Sequence, residues 1–313
     1  MNKWMFKNAE HELTLAMGQL TVLKGDREKW GELVGMLDSY FNQQGTEVTI
    51  WKDGKQVRKK HMNYYAIYEN GNNIEPILKD LKQGILDKLV LSPIYKEFIE
   101  IWEELQEEVQ FIGECEHGKT GIKYELASMT KTILEKSLSL RISEYDNSRL
   151  DIIKLILGMS ITKPTLVFVE GFRSGLNDIE CANAEGMLRE MARRGMHIIV
   201  LDDNLVGASV NYYYQDLIVN KLEILGVKKI ILESSPILSS SEDFLQAIDW
   251  SIGAVDKSKG KVVELELQSV DNLCVFTLIY LIFTFLKWPL IVDFRGIRSD
   301  LIEYLAEIVS GEV

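Results

Sequence analysis

The chain has 313 residues, 46% of them hydrophobic and 26% charged, enough for one large core or two to three modules, and a composition that excludes a disordered protein. A net charge of -12 excludes a protein that coats nucleic acid by charge alone, so any polyanion must meet a local basic surface. Three cysteines, Cys115, Cys181 and Cys274, are odd in number and lack metal-type spacing, and no basic segment precedes an apolar run at the start, so a cytoplasmic protein without a signal peptide is expected.

The first 78 residues read as β-rich, with short runs at Leu13 to Leu15, Leu20 to Leu23, Val48 to Trp51 and Tyr64 to Tyr68, broken by Gly18, Gly45 and Asp53-Gly54. Residues 18–30, GQLTVLKGDREKW, read as a strand, a turn and a helix start, the place for a phosphate loop. Such a loop needs G-x-x-x-x-G-K-[ST], so that glycine N–H groups approach phosphates and the Lys and Ser/Thr reach the terminal phosphates and magnesium. Counting from Gly25, those last three positions hold Trp30, Gly31 and Glu32, and Asp26 and Glu28 add negative charge. The scaffold of an ATPase is expected here without its chemistry. Glu28 to Phe41 reads as a helix with Leu33, Met36, Leu37 and Tyr40 on one face.

The stretch WKDGKQVRKK carries Lys52, Lys55, Arg58, Lys59 and Lys60 against Asp53, a local net of +4. Asp53-Gly54 favours a tight turn, which would display these cations along a protruding hairpin and give phosphate contacts independent of base sequence. A charged hairpin that merely solvates the surface is the other reading.

From about Ile77 to Leu157 the period becomes helical: Ile94, Phe98, Ile101, Trp102, Leu105, Val109 and Ile112 step by three and four. The eight glutamates of residues 97–116 take the other face, and further helices are expected at Leu126 to Leu140 and Asn147 to Leu157, with Gly113 to Gly121 separating the first helix from the second. Glu114, Cys115, Glu116 and His117 mix soft and hard ligands with no second pair, which argues against zinc. Glu116 and Glu125 suit calcium in ligand type, with a solvated acidic face as the alternative.

Buried strands return with TLVFVEG at Thr165, a helix to Arg194, the strand MHIIVLDD, and shorter strands near Leu217 to Val219 and Lys229 to Leu232, a parallel-sheet signature. Glu170 has the strand-end position of a Walker B acid, but that acid works together with a phosphate loop. Asp202-Asp203 ends the next strand, either as a divalent-ion pair or, since neighbours there point apart, as a solvated turn. Ser234 to Ser241 reads as a linker. Beyond it come a strand at Val262 to Leu267, the apolar run Leu273 to Leu286, a strand at Leu290 to Phe294 and a helix from Asp300. That apolar run has only fourteen residues before Lys287, where spanning a bilayer takes roughly 20, so a buried core helix and no membrane partner are expected. His11, His61 and His197 lie far apart, with no nucleophile in a recognisable setting, and no enzymatic activity is expected.

In order and texture, the opening MNKWMFKNAEHELTLAMGQLTVLKGD, the lysine-rich segment, the helical insertion, KPTLVFVEGFRSGL and MHIIVLDD resemble the adaptation (spacer-acquisition) protein family of type II-A CRISPR systems, in its long form. The resemblance covers roughly residues 1–232. It implies an α/β fold with a degenerate P-loop, ABC-ATPase-like head (1–78 plus 160–235), an inserted α-helical leg (79–159) and a C-terminal α/β extension (236–313). It further implies a non-catalytic homotetrameric ring threaded onto double-stranded DNA ends, with no ATP, acting beside the CRISPR integrase pair and the type II effector nuclease. The DNA role falls by position and charge on Lys52, Lys55, Arg58, Lys59 and Lys60, with Arg173, Arg193 and Arg194 as the next cations. Calcium is known in the short form, and its role maps poorly onto Glu116 and Glu125. Two other classes stay open: an ABC-type nucleotide hydrolase, opposed by the missing phosphate loop and the lack of an LSGGQ-like signature, and a DNA-independent scaffold bridging proteins through its acidic arm.

Overall fold

The computed structural model describes residues 2–43, 47–69, 74–117, 123–139, 148–207 and 209–310. The breaks expected at Gly45 and Gly121, the helix limits at Leu140 and Asn147, and the His117 side chain lie outside what is described. The chain divides into two compact units, one of residues 1–66 with 163–313 and one of residues 67–162.

The first unit begins with alternation. In β1 (Asn2–Lys7) Trp4 and Phe6 are buried, and β2 (Glu12–Met17) pairs with it antiparallel, Trp4 opposite Leu15. β3 (Leu20–Lys24) is buried on both faces, as a central strand must be. Helix α1 (Gly31–Asn42) follows, burying Leu33, Met36, Leu37 and Phe41, so the expected helix starts three residues later than Glu28 and faces the core with Phe41. Tyr40, expected on that face, instead turns its hydroxyl to the Val57 carbonyl. β4 (Thr49–Lys52) and the short β5 (Lys55–Gln56) make a hairpin that joins β1, giving a four-stranded sheet in the order β2-β1-β4-β5. β6 (Asn63–Ile67) comes next.

The second unit is helical: α2 (Glu75–Val90), α3 (Pro93–His117), α4 (Lys131–Ser137) and α5 (Arg149–Gly158). The helix expected from Leu126 is shorter than the periodicity suggested. Two side chains of α3 claim the backbone carbonyls its first turn would need, Trp102 Nε1 donating to Ala127 at 3.1 Å and Gln106 Nε2 to Leu126 at 2.6 Å. Thr130 then caps α4 by accepting the Ile133 N–H. Lys131 on α4 bonds Asp87 on α2 at 2.5 Å. The apolar stripe of α3 is present, yet Ile94 is 75% and Ile101 63% exposed.

The first unit resumes with β7 (Thr165–Glu170), α6 (Asp178–Arg193), β8 (His197–Leu201), β9 (Ser209–Tyr214) and β10 (Leu217–Asn220). The Asn177–Glu180 capping box starts α6 where the sequence changes from glycine-rich to helical. The six-stranded sheet runs β10-β9-β3-β8-β7-β6, with β9, β3, β8 and β7 mutually parallel. Short α7 (Lys221–Gly226) and α8 (Lys228–Ser234) follow. Residues 229–232, expected as a strand, are therefore helical: Ile231 is buried and its neighbour Ile230 is 49% exposed, so the isoleucine pair does not signal a strand buried on both faces.

The last layer comprises α9 (Ser241–Ser258), β11 (Val263–Glu266), α10 (Leu273–Phe285), β12 (Leu290–Asp293) and α11 (Ser299–Ser310), with β11 and β12 parallel. The apolar run is α10, a helix apolar on nearly every face because the layer closes around it: Val275 to Ile279 and Leu281 to Phe283 are all buried. Among the described residues no helix is long and apolar enough to cross a membrane. The core is continuous with β9, where the Tyr214 hydroxyl donates to the Pro289 carbonyl at 2.5 Å and accepts the Val263 N–H at 2.9 Å.

Candidate nucleic-acid interface

The basic segment forms the expected hairpin. Asp53 and Gly54 both have positive φ, 49° and 77°, the requirement of the two-residue turn that matches strand twist. Asp53 also ties the tip to β1, its N–H donating to the Lys3 carbonyl and its Oδ1 accepting the Lys3 N–H at 2.9 Å. Lys55, Arg58, Lys59 and Lys60 are exposed on β5 and the 3₁₀ turn behind it, Lys59–His61. Lys59 donates to the Gln43 carbonyl, and Lys55, Arg58 and Lys60 have no ion pair among the described residues.

Lys52 is different in kind. Its Nζ lies 3.3 Å from His197 Nε2 and 5.5 Å from the centre of the buried Trp4 ring. His197 Nδ1 sits 3.2 Å from the Gly18 carbonyl, which assigns the ring proton to Nδ1 and leaves Nε2 to accept from the ammonium. Burial pushes the His197 pKa down, and Lys52 adds to this against the pull of the Gly18 carbonyl. The sequence grouped Lys52 with the surface cations, whereas it fastens the hairpin root to the first residue of β8.

The arginines separate. Arg193 ends α6 and Arg194 caps it, both exposed, in the turn that leads to His197 and so at the amino end of β8, near the hairpin root. Arg193 pairs with Glu190 at 3.4 Å on its own helix. Arg173 follows β7 at the opposite, carboxyl end of the sheet. It is bound by Asp202 and Glu185, each at 3.2 Å, and stacks over Phe172. Its charge is used inside the fold.

At that carboxyl end lies the segment after β3, where the sequence places a phosphate-loop position, and the protein's own side chains fill it. Gly25 has φ 101°, and a Cβ there would come within 3.0 Å of the Tyr213 carbonyl, so the position demands glycine. Its N–H is taken by Asp203 Oδ1 at 2.9 Å. Asp26 Oδ1 accepts the Glu28 N–H, Lys24 pairs with Asp256 at 3.1 Å, and Lys29 with Asp216 at 3.0 Å. Trp30, at the loop position that needs glycine, is buried, with Nε1 bonded to the Lys24 carbonyl. The acids Asp202 and Asp203 do point apart, Asp202 toward Arg173 and the Asn204 and Leu205 N–H groups, Asp203 toward Gly25. Glu170 is half-buried at the end of β7.

Glu116 and Glu125 are both exposed, and among the described residues no three His, Cys, Asp or Glu side chains gather as a metal ion requires. Among the described residues Glu116 and Glu125 do not form a calcium site.

The fold defines a mixed α/β protein in which the basic hairpin of the four-stranded sheet is fastened to the amino end of β8 in the six-stranded sheet, with self-paired charges at the carboxyl end of that larger sheet. No protein-family model matches the sequence, and no curated protein matches it. Among solved structures, that of Stu0660 of Streptococcus thermophilus shares the fold: the match covers 98% of this chain and 99% of that one at 14% identity, with a TM-score of 0.56. CbiO1 from Clostridium perfringens, part of the ABC transporter complex cbiONQ, matches at 12% identity over 75% of this chain and 94% of its own, with a TM-score of 0.34. MJ1267, an ATP-binding cassette of an ABC transporter in its ADP conformation, matches at 10% identity over 70% and 90%, with a TM-score of 0.32.

Proposed function

We propose that this chain is a non-catalytic, double-stranded DNA end-binding protein of CRISPR spacer acquisition, of the type II-A long form, working as a homotetrameric ring threaded by DNA. On this reading residues 1–66 with 163–313 contain a degenerate ATPase-like head and a C-terminal extension, and residues 67–162 are an inserted leg.

One observation carries the reading: the loop that would hold a nucleotide is closed by the protein's own carboxylates, while uncompensated cations stand on a rigid turn elsewhere. Asp203 occupies the Gly25 N–H, so a phosphate would have to displace a charged group of its own sign. Lys55, Arg58, Lys59 and Lys60 offer sequence-independent phosphate contacts, and Arg193 and Arg194 extend that surface. An acidic chain needs several copies to surround a duplex with such patches, and the exposed apolar residues of α3 supply a surface for self-association. The order of motifs along the sequence supplies the family, and with it the integrase pair and effector nuclease as partners in the cytoplasm. Calcium has no place in the proposal.

A mobility assay with linear and closed-circular forms of one duplex tests it. Linear DNA should bind and closed circles compete poorly, because a closed ring loads only by threading. Equal binding of both forms refutes the ring, and binding of neither favours the protein-bridging scaffold.

A further inference from the structure

The four-stranded sheet has an inner and an outer face. Residues directly opposite in an antiparallel ladder share a face, so Trp4, Leu15 and Lys52 lie on one side together with Phe6 and Ile50. Trp4, Leu15, Phe6 and Ile50 are fully buried, which makes that side the core face. The alternate residues look outward, and one row of them crosses all four strands as Thr14, Met5, Trp51 and Gln56, each opposite the next. Lys3 and Lys7 flank Met5 on the same face. Both lysines and Gln56 are exposed, and Met5, Thr14 and Trp51 are half-buried.

Trp51 is therefore an aromatic on the outer side of the strand that leads into the basic hairpin. Its Nε1 donates to Thr49 Oγ1 at 3.3 Å, two residues back on the same face, which lays the indole along β4 with a ring face outward. Strand pairing continues one step past β5, where the Val57 N–H donates to the Ile50 carbonyl. Arg58, extended at φ -103° and ψ 122°, thus returns to the outer face, diagonal to Trp51. Diagonal neighbours on a sheet stand about 7–8 Å apart, a span that one nucleotide bridges from base to phosphate. The other charges here are Lys3, Lys7 and Glu12, with Asp53 and Lys55 at the hairpin tip. Lys7 pairs with Glu12 at 3.1 Å, and Asp53 Oδ1 is taken by the Lys3 N–H. Glu223 of α7 pulls on Lys3, although burial pushes that carboxyl up to about 7. Lys55 and Arg58 have no ion pair among the described residues.

We propose that this sheet face holds the unpaired nucleotides of a DNA end: Trp51 stacks on a base and Arg58 takes the adjoining phosphate. The inference rests on the DNA-end reading and adds to it the state of the end that is bound. A duplex hides the faces of its bases in its own stack, so an outward indole gains a partner only where a nucleotide is unpaired. Such stacking tolerates any base, since each has a π-face, and so it agrees with sequence-independent binding. Positive charge on the diagonal, continuous through β5 with Lys55, selects a polyanion over an apolar or acidic protein surface.

Fluorescence anisotropy of the full chain with one labelled duplex in three forms tests this: blunt, with a few unpaired thymidines at each end, and with abasic tails of the same length. The thymidine tails should tighten binding about fivefold or more over the blunt form, and the abasic tails, which add phosphates without bases, should not. Trp51→Leu should erase the preference and leave blunt-duplex affinity within about twofold, whereas Trp51→Phe should keep most of it. Thermal melts check that both variants fold, and the abasic comparison on the native chain needs no variant. Equal gains from thymidine and abasic tails overturn the proposal, as does a preference that survives in Trp51→Leu. Blunt binding with no gain from tails overturns this inference alone, and no binding to any form overturns the DNA-end reading with it.

Discussion

The N–H of Gly25 donates to Asp203, a residue 178 positions away, and so this backbone donor is already taken by a carboxylate of the protein's own. Purified protein should therefore show no ATP turnover above background and no tight nucleotide binding by equilibrium dialysis. Turnover that vanishes on Glu170→Gln would refute this. Asp203→Ala should free the N–H without conferring ATP binding, because Trp30, Gly31 and Glu32 still replace the loop's glycine, lysine and hydroxyl.

The exposed cations of the hairpin and the following turn should dominate DNA affinity. Replacing Lys55, Arg58, Lys59 and Lys60 together by glutamate should abolish binding to linear duplex and leave the oligomer unchanged by light scattering. If each subunit of a tetramer places one or two of them on phosphates, four to eight contacts give a log-log salt slope of roughly -4 to -7. An unchanged slope in the variant would move the site to Arg193 and Arg194.

Lys52 should behave as a structural residue. Lys52→Ala removes an ammonium from between Trp4 and His197, and should cost about 1 kcal/mol in urea denaturation while leaving DNA affinity within about twofold. A large loss of affinity at unchanged stability would return Lys52 to the binding surface.

Tyr214→Phe should destabilise the first unit by about 1–3 kcal/mol, because Pro289 loses a donor and the Val263 N–H an acceptor in a closed core. Denaturant midpoints measure the cost.

Glu223 sets a pH dependence of stability with a definite sign. Its folded pKa, about 7, lies above the ordinary carboxylate value, so the folded state holds the proton more tightly and stability falls as pH rises from about 4.5 through 7. Glu223→Gln should therefore gain about 1–2 kcal/mol relative to the native chain at pH 8 and little at pH 4. A constant difference across this range would refute the assignment.

Local features of the fold were legible in the sequence, and long-range pairings were not. Asp53-Gly54 named its turn because both positions need positive φ, and the length of Leu273 to Leu286 separated a core helix from a membrane span. The helix at Ile230-Ile231 was hidden because two adjacent β-branched residues look alike whether both or only one is buried. The shortened helix before Thr130 depends on Trp102 and Gln106 reaching over from α3, which periodicity does not register. In the candidate site, charge counting found the basic segment but misplaced Lys52, whose environment is made by Trp4 and His197 from distant parts of the chain. Arg173 looked available for the same reason, since its partners Asp202 and Glu185 meet it only in the folded sheet.

The central position of β3 has a consequence for how the chain is made. Leu20 pairs with Ile198 and Thr21 with Ser209, so both edges of this early strand wait for residues synthesised far later. During translation β1, β2, β4 and β5 can form their antiparallel sheet from nearby segments, whereas LTVL is left with two open edges until β9 has emerged. Ribosome-bound chains ending before Ser209 should therefore be the aggregation-prone species, and release beyond Tyr214 should bring protection of the β3 amides in a single late step.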